Sequence, residues 1–343
     1  MWAIVAFSGA RRLGDSFESV TVHAANDQRQ QDDQKKKEAP AQKKQNEDNV
    51  SVRVDTTLVT VPVVAMDRAG KFVPGLTKED FRIYEEGVNQ EITFFLSAEE
   101  PVTVALMLDV SDSAESNLEE IKAAAIAFVD QLGPDDRVMA LAFDRGLHEL
   151  APIASDRDAI HRAINSAQSG RGTLLYESVD FTLTTLLNRE SGRKAVVLFT
   201  DGVDVGSRIT MEKSLRTAQE AGIFIYSIQY KHPQNTTAPP DAIFGTPTRE
   251  VSYKGDQRMA NFYLRAIARS TGAGYYMAEG KKGMEKSFAS IAEELHKRYD
   301  LGYYPTEPAK PGQTVKIKVK VEKPNVVVRS RASYVYSPQK ADK

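Results

Sequence analysis

Asp109, Ser111 and Ser113 stand at alternate positions in a turn that leaves an apolar run, Val102–Leu108. Asp201 follows a second such run, Ala195–Thr200, and is itself followed by Gly202. Two carboxylates and two hydroxyls make a set of hard oxygen donors, the kind a small divalent cation prefers. The i, i+2, i+4 spacing aims three oxygens at one centre if the backbone wraps around it. A third segment must close such a ring, and Gly170-Arg171-Gly172-Thr173-Leu174-Leu175-Tyr176-Glu177 is the candidate. Its glycines permit close approach, and Thr173 stands where the next helix begins.

Short apolar runs separated by helix-like stretches read as parallel strands buried on both faces. In sheets of that kind ligands bind beyond the carboxyl ends of the strands, where strand order reverses. Leu118, Ile121, Ala125, Phe128, Val129 and Leu132 share one helical face, and Gly133-Pro134 ends that helix. Arg137–Phe143 is the next strand and Leu147–Ile153 its short partner. Arg157–Ala167 and Leu174–Asn188 read as helices. A helix near Met211–Ala221, a strand at Ile223–Ile228, a helix at Met259–Ser270 and a short strand at Gly274–Met277 follow. Met284, Phe288, Ile291 and Leu295 form the apolar stripe of a final helix. This alternation predicts an α/β fold with a doubly wound, mainly parallel sheet. Lys231–Lys254, with Pro233, Pro239, Pro240 and Pro247, is expected to be a long loop.

The flanks differ. Residues 1–50 are expected to be a disordered or signal-like segment and linker: Met1–Ala10 is mostly apolar, and Asn26–Asn49 is rich in Gln, Lys, Asp and Glu. Residues 51–98 carry β-like runs at Phe81–Tyr84 and Ile92–Leu96, and a one-turn helix capped by Thr77. Residues 299–337 return to β character, with a six-residue tail at 338–343. There Val315, Ile317, Val319 and Val321 alternate with Lys316, Lys318 and Lys320, a half-buried strand whose lysines mark an outer face or guard an edge.

Composition narrows the chemistry. The chain has 343 residues, 41% of them hydrophobic, enough for a real core. A formal net charge of −2 gives no electrostatic case for nucleic acid. No cysteine is present, which excludes disulfides, zinc thiolates and thiol nucleophiles. No run approaches a transmembrane span. His23, His148, His161, His232 and His296 are scattered and form no His-Glu-x-x-His pair. There is no Gly-x-Ser-x-Gly elbow, and Gly170–Thr173 lacks the lysine of a phosphate-binding loop.

Asp-x-Ser-x-Ser, a later Gly-Thr-x-Leu-Tyr and Phe-Thr-Asp-Gly, in that order on alternating strands and helices, resemble the von Willebrand factor type A domain. The resemblance implies a metal-ion-dependent adhesion site in which Asp109, Ser111, Ser113, Thr173 and Asp201 occupy the ligand positions. Val-Pro-Val-Val-Ala-Met-Asp-Arg-Ala-Gly-Lys-Phe-Val-Pro-Gly-Leu-Thr-Lys-Glu-Asp-Phe before this region and Tyr-Asp-Leu-Gly-Tyr-Tyr-Pro after it resemble a bacterial subgroup of such proteins, many thought to be exported. That likeness implies residues 99–298 inserted into a small antiparallel β-sandwich built from both flanks, and an extracytoplasmic location. Asp112 departs from the small residue often found at its position and adds negative charge.

The expected function is divalent-cation-dependent binding of a protein partner, not catalysis. The cation is Mg²⁺, or Mn²⁺ or Ca²⁺, completed by an Asp or Glu of the partner. The alternatives are a metal-dependent hydrolase with Asp112 or Asp204 as base, and a scaffold whose metal only stabilises the fold. The final helix runs directly into the Tyr299 strand, so a shift of that helix is expected to pull on the sandwich.

Overall fold

The leading flank folds as four strands: β1 (Val59–Asp67), β2 (Phe81–Glu85), β3 (Val88–Gln90) and β4 (Ile92–Leu96). The computed structural model describes residues 58–97, 100–230, 249–307 and 309–336. The expectations for residues 1–57, for 231–248, for His23 and His232 and for the tail after 336 lie outside the described residues. Thr77 starts a one-turn helix over Lys78–Asp80, where Asp80 Oδ2 accepts the Thr77 N–H at 2.8 Å, as a capping box requires.

The middle of the chain alternates. Strands β5 (Val102–Asp109), β6 (Arg137–Phe143), β7 (Leu147–Ala154), β8 (Arg193–Thr200), β9 (Phe224–Tyr230) and β10 (Tyr275–Ala278) form one sheet in the order β10-β9-β8-β5-β6-β7. All neighbours are parallel except the β6–β7 pair. Alternate residues of β5 and β8 serve two cores. Val104, Leu106 and Leu108 face helices α1 (Leu118–Asp130), α2 (Arg157–Asn165) and α6 (Gly280–Leu295). Ala105 and Met107 face α3 (Leu175–Phe181), α4 (Met211–Ala221) and α5 (Arg249–Thr271). This is the expected doubly wound α/β architecture, and strand order reverses between β5 and β8, where both acidic turns emerge.

Two helices depart from expectation. Leu174–Asn188 is not one regular helix: after α3 the chain widens to a π turn over Thr182–Leu186 and ends in a 3₁₀ turn, Leu187–Arg189. The hydroxyls of Thr182 and Thr184 donate back to the carbonyls of Ser178 and Asp180 at 2.8 Å each, and such back-bonding bends a helix. Helix α5 spans Arg249–Thr271, so residues 249–254, expected as loop, are helical; no proline falls within 249–271 to prevent it.

The trailing flank gives β11 (Tyr299–Tyr303), β12 (Thr314–Val321), β13 (Val326–Ser330) and β14 (Ser333–Val335). Two antiparallel sheets result, β13-β1-β11-β4 and β14-β12-β2-β3, each drawn from both flanks. Val61, Val63, Phe81, Ile83, Leu301, Val315 and Ile317 fill the core between them. Lys316, Lys318 and Lys320 are exposed on β12, which β2 flanks along Ile317–Val321 and β14 flanks only along Thr314–Lys316.

Buried charges join sandwich and α/β region. Asp300 on β11 accepts from Arg193 Nε at 3.2 Å and Arg298 Nη2 at 3.3 Å, all three side chains being almost fully buried. Arg193 also donates to the carbonyls of Glu100 and Leu295 at 2.6 Å each. Burial and the neighbouring Arg298 charge pull the Arg193 guanidinium down to about 10, against the pull of Asp300. Glu294, near the end of α6, pairs with Arg329 of β13. Arg331 donates to the carbonyls of Gln219 in α4 and Thr60 in β1 at 2.7 and 2.5 Å.

His296 closes α6 against Asp136, with Nε2 2.6 Å from Oδ2. The hydrogen bond to Asp136 raises the imidazole above its usual range, burial opposing it. Burial pushes Asp136 up, but His296 and the N–H groups of Val102 and Gly133 outweigh it and the carboxyl lies below its usual value. A raised histidine stabilises the fold fully below 6.5 and less as pH climbs through its folded-state value. A lowered carboxyl loses its contribution only when pH falls below 3.8 and through its folded-state value. The pair therefore contributes most between those limits. An NMR titration should find the His296 midpoint above 6.5, shifted down by Asp136→Asn; a midpoint unmoved by that substitution contradicts the pairing.

Candidate metal centre

Strand β5 delivers Asp109 to the switch point with 0% exposure, and β8 delivers Thr200 beside it. Asp109 Oδ2 accepts the Thr200 hydroxyl at 2.5 Å, while Oδ1 accepts the Ser111 N–H at 3.0 Å and the Ser111 hydroxyl at 2.5 Å. Ser111 Oγ lies 3.1 Å from Ser113 Oγ, which donates to Asp201 Oδ2 at 2.8 Å. Each serine hydroxyl thus gives its one proton to an acid, and the oxygens of Asp109, Ser111, Ser113 and Asp201 follow one another within 3.1 Å across two adjacent strands. Ser113 alone of the four is partly exposed.

Burial, then the charge of Asp201, pushes the Asp109 carboxyl up to about 7. The Ser111 and Thr200 donors pull it back only in part. Tyr230 on β9 is buried beside both acids, and burial followed by their charges raises its hydroxyl well above its normal value. The cluster is thus rich in negative charge and hydroxyl dipoles.

Thr173, 5% exposed, lies in a loop whose backbone is tied to the segments that follow β5, β6 and β8. Gly170 N–H donates to Val110 O at 2.8 Å, Leu174 N–H to Asp144 O at 2.6 Å, and Val205 N–H to Thr173 O at 2.8 Å. The Thr173 hydroxyl makes no hydrogen bond to the other four side chains among the described residues. Gly170 is required here, because a Cβ would lie 1.8 Å from Asp144 Oδ2.

Several supporting residues escape sequence reading. Thr200 bridges to Asp109, and its neighbour Gly202 adopts φ +86 with a Cβ position 2.7 Å from Leu264 Cδ1. Gln229 on β9 donates to Asp201 O at 3.0 Å and accepts the Tyr275 hydroxyl at 2.5 Å, which fixes the Asp201 peptide. Their roles depend on which strands are neighbours, and no local pattern records that. Asp204, considered as a base, accepts from Tyr176 N–H at 3.1 Å, Ser207 N–H at 3.1 Å and the Ser207 hydroxyl at 2.5 Å. It caps the first turn of α3 and ties down the loop after β8. Asp112 is exposed.

No group of three or more His, Asp or Glu side chains gathers among the described residues in a way that holds a metal. An ion at the switch point must therefore use hydroxyls with the two acids. All the donors are oxygens, which suits Mg²⁺, Mn²⁺ or Ca²⁺ better than a soft metal.

An open, doubly wound sheet with an acid–hydroxyl cluster at its switch point defines a class of ligand-binding α/β domain. Residues 103–264 match the family model of the von Willebrand factor type A domain, and the chain carries such a domain there. An uncharacterized protein of Borreliella burgdorferi is 25% identical over 135 residues, 36% of this chain and 39% of that protein. The match thus spans well under half of the relative's length. Among solved structures, a von Willebrand factor type A protein from Catenulispora acidiphila is 10% identical, with a TM-score of 0.46 over 85% of this chain and 77% of that one. The vWF domain of the type V pili tip protein Mfa5 from Porphyromonas gingivalis is 13% identical, with a TM-score of 0.44 over 57% of this chain and 95% of that one.

Proposed function

We propose that this chain is a divalent-cation-dependent protein-binding module. Asp109, Ser111, Ser113, Thr173 and Asp201 hold Mg²⁺, or Mn²⁺ or Ca²⁺, and an Asp or Glu of a protein partner completes the shell. The observation that carries this reading is the unbroken chain of oxygens from Asp109 to Asp201, assembled from two strands at the switch point. Two acids side by side in a buried cluster oppose each other, and a divalent cation removes that opposition. With two protein carboxylates the loaded site is close to neutral, so an incoming carboxylate meets an ion that still attracts it.

The role is adhesion rather than catalysis. Asp204, one of the two acids considered as a base, is occupied as a cap. In this reading residues 99–298 carry the binding site, and 51–98 with 299–337 form the sandwich that presents it. The flanking resemblance to exported bacterial proteins supports an extracytoplasmic site of action.

Calorimetric titration of the full chain with Mg²⁺ tests the reading. The expected result is one saturable site that is lost in Asp201→Ala, with the variant still folded by circular dichroism. Saturation unchanged by Asp201→Ala overturns the assignment. Loss of the fold in that variant favours the scaffold reading.

A further inference from the structure

The rim of the centre carries charges that the five ligand positions do not use. Arg145, just after β6, donates its N–H to Arg171 O at 3.0 Å, which sets two exposed arginines on facing backbone. Neither side chain makes an ion pair or a hydrogen bond among the described residues. Arg145 Cβ lies 3.6 Å from where a Cβ on Gly172 would stand, and Val205 O lies 3.9 Å from the same point. Val205 is itself 59% exposed, with its N–H on Thr173 O. Arg145, Arg171 and Val205 thus bracket the Gly172–Thr173 step. The turn that supplies Ser111 and Ser113 carries the opposite charge, with Asp112 and Glu115 both exposed.

Guanidinium groups match carboxylates with paired, planar donors. Two of them side by side repel unless an anion lies between. Such a divided rim sets the direction in which a charged segment settles, because complementary charge fixes register and like charge rejects the reverse.

We propose that Arg145 and Arg171 read a second acidic side chain of the partner, beside the Asp or Glu that completes the cation's shell. The partner segment is acidic, carries at least two carboxylates, and lies toward the Thr173 loop and away from Asp112 and Glu115. Val205 covers an apolar part of the same segment. This inference rests on the cation-dependent reading above.

The test uses two synthetic peptides with blocked ends, Gly-Gly-Asp-Gly-Gly and Gly-Gly-Asp-Gly-Asp, titrated into the full chain in saturating Mg²⁺ at low ionic strength. The two-acid peptide is expected to bind about tenfold more tightly, as one charge-assisted contact at a partly solvated rim allows. In the double variant Arg145→Gln, Arg171→Gln the ratio between the peptides should fall to about one. Equal binding of both peptides to the unaltered chain, or a ratio that survives the double substitution, overturns the inference and leaves the cation reading standing. Failure of both peptides to bind in Mg²⁺ removes the cation reading and this inference with it.

Discussion

Asp300→Ala should lower the unfolding free energy by about 3–5 kcal/mol, because removing one partner of a buried ion group strands the others. Here two guanidinium groups are stranded. Arg193 and Arg298 both lean on Asp300 Oδ2, in a place where neither side chain reaches water. Arg193 keeps its bonds to the carbonyls of Glu100 and Leu295, and Arg298 keeps Lys194 O. Those bonds satisfy donors but do not neutralise charge. By contrast, deleting Glu322 from its exposed pair with Arg82 should cost under about 1 kcal/mol, as surface pairs do. Urea unfolding of both variants separates the cases. Equal, small losses would mean that Asp300 does not neutralise the two arginines.

Asp109→Asn should reverse its effect with the cation. In EDTA the variant is expected to be at least as stable as the unaltered chain, since it removes one of two opposed buried acids while keeping the side chain's shape. In Mg²⁺ at about 100 times the dissociation constant, the unaltered chain gains about 2.7 kcal/mol by mass action. The variant, with one charged ligand fewer, gains far less. Thermal unfolding with and without Mg²⁺ reads the crossover directly. A variant that keeps the full Mg²⁺-induced rise shows that Asp109 is not a ligand.

The region around the switch point was the most legible part of the sequence. Apolar runs buried on both faces announce themselves without alternation, so Val102–Leu108 and Ala195–Thr200 pointed to parallel strands and their acidic ends to a ligand edge. The flanks were legible as β but not as sheets. Alternation in Val315–Val321 shows that one face is buried, yet nothing local tells which neighbours the strand takes: β2 runs along most of it and β14 along Thr314–Lys316 alone. Nothing local marks Arg193 and Arg298 as buried; their burial depends on Asp300, which pairs with Arg193 from 107 positions away. The π turn after α3 was hidden because Thr182 and Thr184 fit a helical stripe, while their hydroxyls compete for its carbonyls. The expected coupling between the last helix and the sandwich also changes character. Helix α6 is held near its end through Glu294, Leu295 and His296, so movement there must break one buried and two partly buried contacts at once.

In the sandwich, Leu96 of β4 sits directly opposite Asp300 of β11. The chain thus leaves and re-enters this ladder at neighbouring positions, about 5 Å apart as antiparallel partners are. Without the intervening α/β region, β4 and β11 would be the two arms of an ordinary hairpin. The sandwich is in effect a mount whose graft point lies where these two ends meet. A transplant at that junction would have to neutralise Asp300, because both of its arginine partners leave with the insert.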